Sequence, residues 1–196
     1  MGDSIQQGLQ ALVTQNVGMR VVAVLCAALV VYVMVTAWLF IVERQWDRLS
    51  VAALARVAAL AAMAYVVSKV LTGIVIDPRP YLIAHTHPPI PIARDNGFPS
   101  DHVLLAALLT ASLWWVERRA LVPFAVGTLL VMGGRLGVGA HHTIDVLGSV
   151  LIVVVAAAVS GALPLPDAWD RPLSQPWRRA EGYSARDGRP YVRLRR

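Results

Sequence analysis

The sequence predicts an all-α integral membrane bundle of about five transmembrane helices, preceded by an interfacial helix at the N-terminus. Three observations predict it. Of 196 residues, 57% are hydrophobic and only 15% are charged, whereas a soluble domain carries about 25% charged residues; the mean hydropathy is +0.58. Apolar segments recur at lengths suited to a hydrocarbon core of roughly 30 Å, crossed at about 1.5 Å per residue. The arginines gather in alternate connections and in one terminal tail.

Residues 1–19 are too polar to span. Ile5, Leu9, Leu12 and Val13 fall at helical spacing, as in a short helix lying in the interface. Residues 21–42 carry no charge and form the first span. Its length and the lack of a basic lead-in predict a retained anchor, not a cleaved signal peptide. Residues 57–76 form a second span interrupted only by Lys69, and 103–116, 120–134 and 146–163 form three shorter ones rich in Ala, Val, Leu and Gly. Residues 1–163 thus read as one membrane domain. The tail, 164–196, holds eight arginines among prolines, with Trp169, Trp177, Tyr183 and Tyr191. It predicts a flexible strip on anionic lipid, and nucleic acid is not an expected partner. Cys26, the single cysteine, sits mid-span, so neither a disulfide framework nor a cysteine metal site is expected.

Charge placement gives orientation. Arg44, Arg48 and Arg56 flank the first connection, Arg118 and Arg119 fill the third, and the tail follows the fifth span. The positive-inside rule places these regions in the cytoplasm. The N-terminus, the loop 77–101 and the turn around 139–145 then face outward, in a multi-pass protein of a plasma membrane.

Ionisable residues within membrane spans are costly and usually functional. Here they form three clusters, all at outer helix ends: Lys69 with "DPRP" (77–80), "PSDH" (99–102) and "GGRLGVGAHHTID" (133–145). Pro78 and Pro80 stop the second span and hold Arg79 in an extended stretch, where its planar fork suits phosphate. Pro99 and Ser100 are good helix-start residues, so the first N–H groups of the third span would offer an anion seat, with Asp101 and His102 at its edge. His141 and Asp145 are four apart and share a helix face. A carboxylate on one imidazole nitrogen leaves the other free as a nucleophile. Arg135 adds a second guanidinium. Singly, each residue has a structural explanation: Arg79 an interfacial anchor, His102 a helix-end polar group, His141 and Asp145 a capping pair. Gathered on one membrane face, they point to phosphate chemistry. His85, His87 and His142 lie in no HExxH or Cys/His pattern, and no metal is expected.

These clusters resemble the type 2 phosphatidic acid phosphatase (PAP2) superfamily, whose pattern is a lysine and Arg-Pro, then Pro-Ser-Gly-His, then Ser-Arg followed by His and Asp. Arg79-Pro80, "PSDH" and Arg135 with His141 and Asp145 correspond, the last three at the usual spacing. The departures are three. Nine residues lie between Lys69 and Arg79 instead of six, a shift of about 4.5 Å along a helix. Gly134 replaces the serine and Asp101 the glycine. The stretch "DPRPYLIAH…DNGFPSDH" is most similar to the bacterial undecaprenyl-diphosphate phosphatases of the BcrC type. The resemblance implies a cofactor-free phosphatase acting on a lipid phosphate or diphosphate. His141 would be the nucleophile, Asp145 its orienter and His102 the general acid and base. Arg79, Arg135, Lys69 and the Ser100 cap, with Pro80 and Asp101 beside them, would hold the phosphates. A glycerolipid phosphate such as phosphatidate or phosphatidylglycerol phosphate is the alternative substrate. A non-enzymatic anionic-lipid binder is the remaining class.

Overall fold

A computed structural model describes residues 3–173; of the expected flexible tail from 164, the first ten residues turn through Asp167–Asp170 and pair back at Pro172 with Ser50, and the expectations for residues 174–196 fall outside the described residues. Among these residues are eight α-helices, short 3-10 turns and no strand. The chain opens with α1 (Ser4–Gln15), whose first turn is held by Asp3 Oδ1 accepting from Gln6 N at 3.1 Å. Asn16 ends it and at once caps α2 (Val17–Ala28), accepting from Met19 N at 3.1 Å. The expected N-terminal helix is therefore present. Val13 packs with Ala23, Ala27 and Val138, so α1 leans on its own bundle.

The expected first span is broken. After Leu29 the chain resumes as α3 (Val30–Gln45), bent 43° from the axis of α2 together with the turn that follows it. No proline or glycine marks the site; packing on each side accounts for the bend. A Cβ at Gly134 would lie 2.5 Å from Ala27 N and 2.7 Å from Cys26 C, so α2 is pressed backbone to backbone on the helix that carries Gly134. Beyond the break α3 turns to another neighbour, tied there by Trp38 Nε1 donating to Ser112 Oγ at 2.8 Å. The bend lets each half keep its own contact. Gly134, where the resemblance expects serine, is thus set by packing: a side chain there would drive the two helices apart.

The remaining helices are α4 (Val51–Ile74), α5 (Pro80–Ile83), α6 (Asp101–Val116), α7 (Leu121–Gly137) and α8 (Thr143–Gly161). Ser50 starts α4 by accepting from Ala53 N at 3.1 Å. α6 is the centre of the bundle: Val103, Ala106, Leu109 and Leu113 pack toward α3 and α7, while Ala107 meets Leu60 and Ala64 of α4 and Val153 of α8. Lipid tails are as apolar as leucine, so helices in a membrane associate through close packing of small residues and a few hydrogen bonds. The alanines at these contacts and the 2.9 Å pair of Thr110 and Thr128 fit that rule.

α4, α7 with its preceding turn, and α8 are each long and apolar enough to cross a membrane, and α2 with α3 makes a fourth. α6, the remaining expected span, has 16 residues, about 24 Å at 1.5 Å per residue. It is sheathed by α3, α4, α7 and α8. The C-terminal ends of α4 and α7 and the N-terminal ends of α6 and α8 meet at one end of the bundle, and there the three polar clusters converge.

Candidate active site

Two short connections assemble the site. After α4 the chain runs extended through Asp77 to Arg79 and pairs with the segment before α6: Pro78 and Asn96 form a bridge, and Gly97 N donates to Asp77 O at 2.8 Å. Asn96 fixes this crossing. Its Oδ1 accepts from Asp77 N at 2.8 Å, and its amide donates to Thr72 O at 2.9 Å and Val75 O at 2.5 Å, satisfying carbonyls that the end of α4 leaves unpaired. Ser149 of α8 ties the next piece, accepting from Ser100 N at 2.9 Å and donating to Asp145 O at 2.7 Å.

His141 lies in the connection between α7 and α8, 2% exposed. Arg79 Nη1 approaches its Nε2 at 3.1 Å and Arg135 Nη2 at 3.2 Å. A guanidinium has only donors, so Nε2 must accept from both and carries no proton. The proton belongs on Nδ1, which donates to Gly97 O at 2.9 Å. Burial first, then the charges of Arg135 and Arg79, push the imidazole pKa down to about 3. His141 is therefore a neutral base with its Nε2 lone pair aimed at two cations.

That geometry corrects one expectation. Asp145 does not hydrogen-bond the ring: its Oδ2 stands 3.5 Å from Nδ1 and accepts instead from His142 N at 2.8 Å. The Gly97 carbonyl fixes the tautomer, while Asp145 lies close enough to favour positive charge on the ring. The loop must be glycine at 97, since a Cβ would come within 2.9 Å of Asp77 O and 3.1 Å of Asp145 Oδ2.

Arg79 is gripped from behind by Asp95 Oδ1, which accepts from Nε at 2.9 Å and Nη2 at 2.7 Å. Burial alone would raise the Asp95 carboxyl, but the Arg79 hydrogen bonds and charge outweigh it and hold it low. Arg135 Nε is buried without a partner. Arg79, Arg135, His141, His102, Asp101 and Asp95 together line a cavity of 490 Å³, closed on the helix side by Ala28 and Tyr32 at the α2–α3 break.

Besides Asp145, which stands behind the imidazole, three expected residues are not in its wall. Lys69 is exposed on α4, its Nζ 5.6 Å from the Tyr65 ring centroid, because α4 packs on α6 and α8 and never reaches the α2–α7 side. Ser100 caps α6 with its N–H already spent on Ser149 and its buried Oγ unpartnered. Pro80 is buried as the first residue of α5. Among the described residues no group of three or more His, Cys, Asp or Glu is arranged to hold a metal ion.

The profile of the PAP2 superfamily matches residues 50–165. The chain belongs to the PAP2 superfamily. The match runs from the cap of α4 to just beyond α8, so it includes every Arg, His and Asp of the cavity and leaves out α1 to α3. The chain is also similar to undecaprenyl-diphosphatase BcrC of Bacillus subtilis (strain 168), 35% identical over 91 residues. That alignment covers 46% of this chain and 47% of the relative, so the likeness spans about half of each. No solved structure matches the chain.

Beside the PAP2 residues stand groups the sequence did not single out. Gly97 acts through its carbonyl and Asp95 through a loop contact, and neither leaves a periodic signal. Asp77 is more informative. Asp145 Oδ1 is buried and meets no N–H or hydroxyl donor, yet the Asp77 carboxyl stands beside it. Burial, then the neighbouring Asp145 carboxyl, raise the Asp77 pKa from 3.8 to about 6, so below about pH 6 a proton on Asp77 supplies the missing donor.

A folded-state pKa above the unfolded one gives stability that is present at low pH and lost as pH rises through the window from about 4 to about 6. Asp77→Asn removes this titration and keeps a donor toward Asp145. The melting temperature of the variant relative to the parent, in detergent, should therefore be higher at pH 8 than at pH 4.5, by the equivalent of about 1–3 kcal/mol. An offset that is the same at both pH values would show that the carboxyl pair carries no proton.

Proposed function

We propose that this PAP2 chain is a lipid-phosphate phosphatase that works through a phosphohistidine at His141, with a polyprenyl diphosphate of the undecaprenyl type as its substrate. The observation that carries this reading is the unprotonated Nε2 of His141 facing two guanidinium groups. Holding an anion requires the arginines alone; a buried, neutral imidazole aimed between them adds a nucleophile.

In the first step the Nε2 lone pair attacks the terminal phosphorus and the bond to the bridging oxygen breaks. Arg79 and Arg135 stabilise the charge on the equatorial oxygens, as fixed cations do in phosphoryl transfer. His102 lines the same cavity and protonates the departing polyprenyl phosphate. The ring of His141 then carries positive charge, met by the Gly97 carbonyl and by Asp145 at 3.5 Å. In the second step His102 takes a proton from water, the oxygen attacks phosphorus, and inorganic phosphate leaves with Nε2 restored. The guanidinium groups provide the charge stabilisation, so turnover should persist in EDTA.

The diphosphate reading draws on the relative's name and on the site's place at the membrane mouth. A lipid keeps its chain in the bilayer while its head group enters the cavity. The arginine-bearing helix ends lie opposite the site, and the positive-inside rule puts the site on the extracytoplasmic face of a bacterial plasma membrane, where a carrier lipid sheds its cargo as the diphosphate.

Purified protein assayed in EDTA against undecaprenyl diphosphate, phosphatidate and phosphatidylglycerol phosphate tests the substrate: the diphosphate should turn over fastest. A preference for either glycerolipid would overturn that choice. His141→Ala should lower turnover by about 10³-fold or more. His142→Ala should stay within about tenfold of the parent, since His142 faces Asp3 at 3.7 Å and Asp77 at 3.8 Å outside the cavity. Equal losses would remove His141 from its role.

Sidedness is tested in intact cells with Thr86→Cys and Arg48→Cys, each in a Cys26→Ala background. A membrane-impermeant thiol reagent should label position 86 and spare 48; the reverse pattern would place the site in the cytoplasm.

A further inference from the structure

At the end of the bundle opposite the active site, two adjoining cavities of 530 and 490 Å³ share Arg56, Trp114, Trp115 and Arg118. The first is floored by small residues, Ala111 of α6 with Ala157, Ala158 and Gly161 of α8. The second adds Arg119, Ser50 and Glu117. Lining charges are thus Arg56, Arg118 and Arg119 against Glu117 alone. That glutamate is already engaged, its Oε2 accepting from Gln45 at 2.5 Å and its Oε1 from Arg119 N at 3.2 Å. Arg56 Nε is shut off from solvent and has no hydrogen-bond partner. Arg118 is pre-positioned: its guanidinium stacks 4.2 Å over the Trp114 ring and its Nε donates to Trp114 O at 3.1 Å.

We propose that this is a binding site for the head-group phosphate of an anionic phospholipid, with one acyl chain lying in the Ala/Gly groove between α6 and α8. Depth, charge and shape support the same ligand. The site sits where α4 begins and α6 and α8 end, the level at which tryptophan belts and phosphates meet. Basic pockets between membrane helices suit anionic head groups. A planar guanidinium stacked on an indole is held for a phosphate at little further entropy cost. The tail does not supply the complementary charge. It leaves residue 173 close by, where Leu173 N donates to Leu49 O at 2.8 Å, but residues 174–196 carry seven arginines against Glu181 and Asp187, the wrong sign for a basic pocket.

The test is thermal unfolding of the full chain in neutral detergent, titrated with phosphatidylglycerol, phosphatidylcholine or inorganic phosphate. Phosphatidylglycerol should raise the melting temperature saturably, and the other two should not. Arg56→Gln with Arg118→Gln should weaken the apparent affinity by about 30-fold, on the order of 1 kcal/mol per arginine. If the double variant does not fold, Arg118→Gln alone, at an exposed position, should weaken it by about fivefold. Arg135→Ala, in the distant active site, should leave the titration unchanged. An unweakened response in the Arg56 and Arg118 variants, or an equal response to phosphatidylcholine, would overturn the proposal. Saturation by inorganic phosphate alone would reduce the site to one for a free anion and overturn the lipid assignment. Loss of the response in Arg135→Ala would place the lipid in the active site instead.

Discussion

The structure depends on one crowded contact: two guanidinium groups brought to a single imidazole nitrogen inside a membrane bundle. Arg79 and Arg135 are each less than a tenth exposed and stand 3.1 and 3.2 Å from His141 Nε2. Two buried like charges are costly unless hydrogen bonds and opposite charges compensate. Much of the local architecture does so. Asp95 takes the rear of Arg79, Ala140 O accepts from its Nη1 at 3.1 Å, and Asp145 stands behind the imidazole. Arg135 Nε stays without a partner beside the cavity that Arg135 lines, a standing preference for an anion. The same contact decides the chemistry of His141. Hydrogen bonds involving charged groups contribute about 1.5–3 kcal/mol each, so two such donors on Nε2 and a carbonyl on Nδ1 leave one tautomer.

The scaffold holds this contact by fixing helix ends. Asn96 ties the extended segment after α4 to the loop before α6, and Ser149 ties the start of α6 to α8. Arg135 reaches the same point from the last turn of α7. Asp3, which caps α1, also accepts from Thr143 N at 2.5 Å and Thr143 Oγ1 at 2.8 Å, so the N-terminal segment fastens the start of α8. Close packing at Gly134 seats α2 against α7, and the bend beyond it places Ala28 and Tyr32 on the cavity wall.

The sequence made the helices and the polar motifs legible because both leave local patterns: apolar runs of spanning length, Pro and Ser at helix starts, and fixed Arg, His and Asp intervals. It read Arg79, Arg135, His102 and His141 onto one face, and the structure gathers them. The failures share a cause, since each depends on a partner far away in the chain. The break at Leu29 answers to Gly134 and Ser112, not to any residue at 29. Lys69 fell to the far side because α4 faces α6 and α8. The interval from His141 to Asp145 suggested a direct hydrogen bond, but a loop carbonyl, which no side-chain pattern can announce, took that place. Asp77 was visible only as part of "DPRP"; its proximity to Asp145 is a tertiary fact.

The central claim is that His141 is held as the neutral tautomer with Nδ1 protonated and Nε2 bare. Nitrogen-15 NMR of protein labelled in its histidine rings reads this directly, with His141→Ala identifying the resonances. At pH 7, and still at pH 5, the account requires one protonated and one unprotonated ring nitrogen, the proton coupled to Nδ1. An imidazolium signal at pH 5, or a proton on Nε2, would contradict it.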